Sequence, residues 1–116
     1  MFRFEPGLKV YLHRDAVDGR KNINGLALLV EQALGLDPFA PALFVFGNRR
    51  RDRIRILLWD RNGFWLMTKR LETDRFIWPN DADVVALSVE QLHWLLSGID
   101  LAAMRPHPER KYLQAG

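Results

Sequence analysis

The segment from Leu43 to Pro79 constrains the fold more than any other part of the chain. It reads LFVFGNRRRDRIRILLWDRNGFWLMTKRLETDRFIWP. Leu43–Phe46 is a continuous apolar run. Arg53–Asp60 alternates, with Ile54, Ile56 and Leu58 on one side and Arg53, Arg55, Leu57 and Trp59 on the other, which is the period of a strand. Asp60-Arg61-Asn62-Gly63 is a hairpin turn signal. Phe64–Leu71 returns as the partner strand, and Arg75–Trp78 adds a shorter one closed by Pro79. The segment predicts an antiparallel meander.

The turn decides which side chains share a face. If Gly63 is the left-handed residue after a type I turn, Trp59 opposes Trp65, Leu57 opposes Met67 and Arg55 opposes Lys69. One face then presents Arg53, Arg55, Trp59, Trp65 and Lys69, and the other carries Ile54, Ile56, Leu58 and Leu66 toward helices. If Asn62-Gly63 forms a two-residue turn, the pairing slips and the aromatic face is mixed. The first register is the favoured one.

Two amphipathic helices flank the meander. The first starts at Asn22, a good N-cap, or earlier at Asp18. Ile23, Leu26, Ala27, Val30 and Leu34 form its apolar stripe, and it stops at Gly35 before Asp37-Pro38. The second opens at Ser88, where Ser88 and Gln91 make a capping box and Leu87 staples onto Leu92. Its stripe is Val89, Leu92, Leu95, Leu96 and Ile99. Lys9–Leu12 reads as a short strand after Pro6-Gly7. The expectation is an α+β fold, an antiparallel meander sheet of four to five strands packed with two helices in two layers around one core. Residues 1–100 form the single domain, and 101–116, with two prolines and scattered charge, a flexible C-terminal tail.

Charge is concentrated where the strands are. Residues 48–79 hold nine basic and four acidic side chains, whereas residues 1–47 are balanced and 80–116 are net acidic. Five arginines fall within Arg49–Arg55. Arginine neutralises phosphate and an aromatic ring can stack on a base, so Arg49, Arg50, Arg51, Arg53, Arg55 and Lys69 are candidate nucleic-acid contacts. Trp59, Trp65 and Trp78 are candidate partner-binding residues, since tryptophan is enriched among interface hot spots. The same tryptophans read equally well as core, and the strand arginines as the charged side of an edge strand.

Catalytic patterns are missing. The chain has no cysteine, hence no disulfide framework and no thiolate zinc site. It shows no phosphate loop, dinucleotide fingerprint or nucleophile elbow. His13, His93 and His107 are widely spaced and lack second ligands; of Asp52, Asp60 and Asp74, which lie near strand ends, Asp60 is better explained by the turn and Asp74 by a loop than by magnesium. Asp18-Gly19-Arg20-Lys21 reads as a helix entry with exposed charge. No enzyme, cofactor or metal is expected. No apolar run approaches the roughly 18 to 20 residues of a membrane span, and the N-terminus lacks the apolar centre of a signal peptide, so a cytoplasmic protein is expected.

Several blocks resemble the small accessory protein TnpB of the bacterial insertion-sequence family numbered sixty-six, which is distinct from the RNA-guided nuclease of the same name. They are DGRKNINGLALLV (18–30), Asp37-Pro38-Phe39, LFVF (43–46), NRRRDRIRILLWD (48–60), GFWLMTKRLE (63–72), FIWP (76–79) and LSVEQLHWLLSGID (87–100). At 21–25, KNING departs from the glycine and aspartate more usual in that family. The resemblance implies a helper in transposition that works beside a large transposase, with no catalytic residue to carry over. The expected partners are DNA at the element's ends, the transposase of the same element, or both, and self-association is left open. Two functions follow: nucleic-acid contact through the arginines, or a protein–protein adaptor using an aromatic and basic sheet face.

Overall fold

The chain folds into five strands and two helices in a computed structural model, which describes residues 3–79 and 84–102. The strands are β1 (Lys9–His13), β2 (Ala42–Gly47), β3 (Arg53–Asp60), β4 (Gly63–Arg70) and β5 (Val84–Leu87). The helices are α1 (Ile23–Gln32) and α2 (Val89–Leu96). The sheet order is β4-β3-β2-β1-β5. The fold is α+β as expected, but the sheet is mixed. β1 and β2 pair in parallel, and every other pairing is antiparallel. Parallel neighbours need a crossover, and α1 provides it.

The two layers expected are in fact three. Val10, Leu12, Leu43, Val45, Ile54 and Ile56 pack with Val89, Leu92 and Leu95 of α2. Ala42, Phe44, Phe46 and Leu57 pack with Leu26 and Val30 of α1 on the other face. The single core therefore divides into two, separated by the sheet. β2 is buried along its whole length, the mark of a central strand covered on both faces.

Both helices begin at the expected caps. Asn22 accepts a hydrogen bond from the Gly25 N–H at 2.9 Å. The Ser88–Gln91 capping box is complete, with bonds of 2.9 and 3.0 Å. Gly35 takes a φ of 66° after α1, and the Leu36 N–H turns back to Val30 at 3.0 Å.

Three local expectations change. The segment Arg75–Trp78 is irregular rather than a strand; its Phe76 is buried in the α2-side core, and the Phe76 N–H bonds the Arg51 carbonyl at 2.7 Å. β5, which none of the patterns above marked as a strand, arises by pairing with β1. The tail expected over 101–116 lies, from residue 103 onward, outside the described residues.

Candidate nucleic-acid interface

The chain brings its basic segments together through topology. β1 and β2 run in parallel, so the loop leaving β1 (residues 14–22) and the turn leaving β2 (48–52) emerge at the same end of the sheet. The carboxyl ends of neighbouring parallel strands are where open α/β sheets commonly hold ligands. The segments 14–21 and 48–55 carry eight basic and three acidic residues. Ala16, Val17, Asp18, Gly19, Asn48, Arg49 and Arg50 enclose an open cleft of about 350 Å³ between them.

Asn48 organises the turn. Its side-chain oxygen accepts the Arg53 N–H at 3.1 Å, and its amide donates to Asp52 at 2.7 Å. The Asn48 bond holds the Asp52 carboxyl below its ordinary pKa, with Arg50 and Arg53 adding to the effect. This rigid turn leaves Arg49 and Arg50 exposed at the cleft. On the facing loop Arg20 grips Asp18 at 3.1 Å. That side-chain hydrogen bond from Arg20 holds the Asp18 carboxyl down at about 2. Arg53 is half-buried, its guanidinium beside Gly19.

Two of the candidate arginines are anchors. Arg51 sits at a φ of 59°. Its guanidinium lies 4.7 Å from the centre of the Trp78 ring and donates to the Arg14 carbonyl at 3.1 Å, while the Trp78 indole N–H donates to the His13 carbonyl at 3.1 Å. Gly47 makes room for this stack: a Cβ there would stand 2.7 Å from the Arg51 guanidinium and 2.9 Å from the Trp78 ring. Arg55 is buried on the α1 face and donates to the carbonyls of Lys21 and Asp18, the latter at 2.9 Å. Burial lowers the pKa of both guanidiniums. Their work is to tie the loop before α1, the β2–β3 turn and the Trp78 segment to the sheet.

The remaining candidates lie elsewhere, and the expected aromatic and basic face does not form. The hairpin closes with Asp60 opposite Gly63, Trp59 opposite Phe64 and Leu58 opposite Trp65, which is neither register anticipated. Arg61 takes the positive φ, 58°, so the two-residue loop is Arg61-Asn62. Because successive strand residues alternate faces, Trp59 and Trp65 point to opposite sides. Trp59 joins Phe39 and Phe64, with ring centres 4.9 and 5.0 Å away. Trp65 is 59% exposed on the α2 side, its indole bonded to Asp60 at 3.0 Å. Lys69, opposite Ile54, is on that same side and caps α2 by donating to the Leu96 carbonyl at 2.8 Å. Arg55 instead opposes Thr68 and faces α1.

Sequence reasoning passed over Arg20 and Lys21 as a plain helix entry. The signal for them was their position after the first predicted strand, which puts them level with the arginine turn once β1 and β2 run in parallel. Among the described residues no group of three or more metal-ligating side chains gathers, and no helix is long and apolar enough to cross a membrane.

A mixed sheet with one helix on each face and a basic, loop-built end defines a small α+β protein with an electropositive rim. The IS66 Orf2-like protein family matches residues 8–106, and the chain belongs to that family. It is 37% identical over 106 residues to the uncharacterized protein y4jC of Sinorhizobium fredii, covering 90% of this chain and 91% of that one. It is 38% identical over 94 residues to y4hO of the same organism, covering 80% and 82%. No solved structure matches. Membership of this insertion-sequence family implies an accessory role associated with transposition.

Proposed function

We propose that the chain is a non-enzymatic accessory protein of transposition that holds nucleic acid by its phosphate backbone at the loop end of the sheet. The observation supporting this reading is that Arg49 and Arg50 line one open polar cleft, with the Arg53 guanidinium beside its Gly19 and Arg20 paired to its Asp18. The hydrogen-bonded turn already fixes the backbone that presents Arg49 and Arg50, so binding a polyanion costs mainly their side-chain freedom, and like charges crowded together are relieved by one. The contacts reach phosphates rather than bases, so recognition is general in sequence. Arg51 and Arg55 support this surface from beneath, and Lys69 stands apart from it. The acting unit is the single α+β domain over residues 1–100.

The test is a titration of a DNA fragment with purified variants over a series of salt concentrations. Arg49→Ala with Arg50→Ala should weaken binding to all sequences alike. It should reduce the slope of log affinity against log salt by about 2, near one per lost phosphate contact. Lys69→Ala should leave the slope alone. Binding undiminished by the double substitution would overturn the reading.

A second reading, an adaptor that contacts the transposase, draws on the exposed Trp65 and the half-open Phe39–Trp59–Phe64 cluster at the hairpin end. Under it, Trp59→Ala or Trp65→Ala would abolish capture of the transposase, while the arginine pair would only slow it.

A further inference from the structure

β4 is an edge of the sheet, and among the described residues no strand pairs with its outer side. It pairs without interruption to β3 over eight residues, contains no proline and no bulge, and carries its two charged side chains, Lys69 and Arg70, only at its last two positions. Natural edge strands of this length are usually bent, broken or covered, because the free backbone edge is a template for another strand. Here Asp60 and Gly63 close a two-residue loop and exchange their hydrogen bonds. By alternation Gly63, Trp65, Met67 and Lys69 bond inward to β3. The N–H and C=O groups of Phe64, Leu66, Thr68 and Arg70 therefore point outward, and none finds a backbone partner among the described residues.

We propose that the partner of this edge is β4 of a second copy of the chain, paired antiparallel with Met67 on the two-fold axis. An isologous contact requires that residue i meet j and j meet i, and this strand is complementary to itself in that register. Trp65 comes opposite Lys69 and Met67 opposite Met67 on the α2 side. Phe64 comes opposite Arg70 and Leu66 opposite Thr68 on the α1 side. Every cation meets an aromatic ring rather than another cation. Setting Lys69 on the axis would oppose two ammonium groups, and setting Leu66 there would draw Trp65 away from Lys69.

The side chains carry a second complementarity. An open apolar groove of about 290 Å³ runs along the α2 side of β4, lined by Phe4, Ile56, Met67, Lys69 and Leu96. Trp65, 59% exposed, stands on the same side of the same strand, two residues from Met67 and four from Lys69. In the proposed register each protomer's Trp65 comes level with the mouth of the other's groove, beside Lys69 and Met67. The result is one continuous sheet across both copies. This inference does not depend on the nucleic-acid reading.

Sedimentation equilibrium of the full chain in the absence of nucleic acid tests it, with a dimer expected. Thr68→Pro removes an outward N–H and no bond to β3, and proline is tolerated on such an edge. It should weaken dimerisation at least tenfold while the circular dichroism spectrum is retained. Trp65→Ser should weaken it similarly by emptying the groove. The register is tested by Met67→Cys in a chain that has no cysteine of its own. Paired Cα atoms at a position of this kind lie about 4.5 Å apart, within disulfide reach, so mild oxidation should cross-link Met67→Cys and leave Arg70→Cys largely without a covalent link. A wild-type monomer at all concentrations, or a dimer indifferent to Trp65→Ser together with failure of Met67→Cys to cross-link, would overturn the proposal even if Thr68→Pro fails to fold.

Discussion

Arginine in this chain divides by the geometry of its backbone position. Arg51 and Arg55 turn inward to carbonyls of neighbouring loops, whereas Arg49 and Arg50 stay in solvent. Composition revealed the cluster but not this division, because five arginines within seven residues look alike until the alternation of β3 and the positive φ of Arg51 aim each one. His93 shows a similar division between charge and structure. It is buried on α2, and its Nε2 accepts the Phe4 N–H at 3.1 Å, a role open only to the neutral ring. Burial first, and the Arg3 charge second, push its pKa below the ordinary 6.5, against the opposing pull of Glu90. A histidine with a depressed folded pKa leaves stability intact above 6.5, since both states are then neutral. As pH falls below 6.5 the unfolded chain takes up the proton first, and stability declines until the folded ring is protonated too. Urea unfolding between pH 7.5 and 5 should show this decline, and His93→Gln should flatten it. An unchanged pH profile in that variant would place the acid sensitivity elsewhere.

Elements with local signals were legible from the sequence. The Asn22 cap, the Ser88–Gln91 box and the Gly35 stop depend on neighbours a few residues away, and the structure uses each of them. Decisions made over longer range were not legible. The parallel pairing of β1 with β2 is set by where α1 packs, which neither segment encodes alone, and β5 is a strand because β1 offers it an edge. One long-range clue was available. Leu43–Phe46 is apolar at every position, whereas a strand with one solvated face alternates, so a sheet covered on both sides was foreshadowed there. The candidate site suffered from the same limit: a hairpin register set one residue away from the favoured one moves Trp65 and Lys69 to the far side from Arg55 and Trp59. Separation into two cores has an energetic consequence. Leu26 and Leu92 are each fully buried, on opposite faces. Leu26→Ala and Leu92→Ala should each cost about 2 to 5 kcal/mol. The double variant should lose the sum to within about 0.5 kcal/mol, as separated sites do. Chemical denaturation of the four proteins measures this, and a large interaction energy would argue for one shared core.

At the scale of the whole molecule, charge and the open edge lie in a fixed relation. β3 begins and β4 ends at the basic rim, and the Arg61-Asn62 loop lies at the other end of the same hairpin. Eight residues at about 3.3 Å each put roughly 25 Å between those ends. Two copies joined antiparallel through β4 would therefore carry their basic rims at opposite ends of one sheet, facing away from each other. Such a particle cannot close both rims on a single short duplex without bending it, and bending over 20–30 base pairs costs on the order of 1–6 kcal/mol. Joining two separate duplexes carries no such cost. The expected outcome is that the wild-type protein links a labelled DNA fragment to a second, immobilised one, most strongly at low salt, where phosphate contacts are strongest. Thr68→Pro should bind each fragment through an intact rim and fail to link them. Arg49→Ala with Arg50→Ala should dimerise and yet hold neither fragment well. The two variants thus separate the two halves of the argument. Linking that survives in Thr68→Pro while sedimentation shows that variant to be monomeric would mean that one rim alone, or another surface, spans both duplexes.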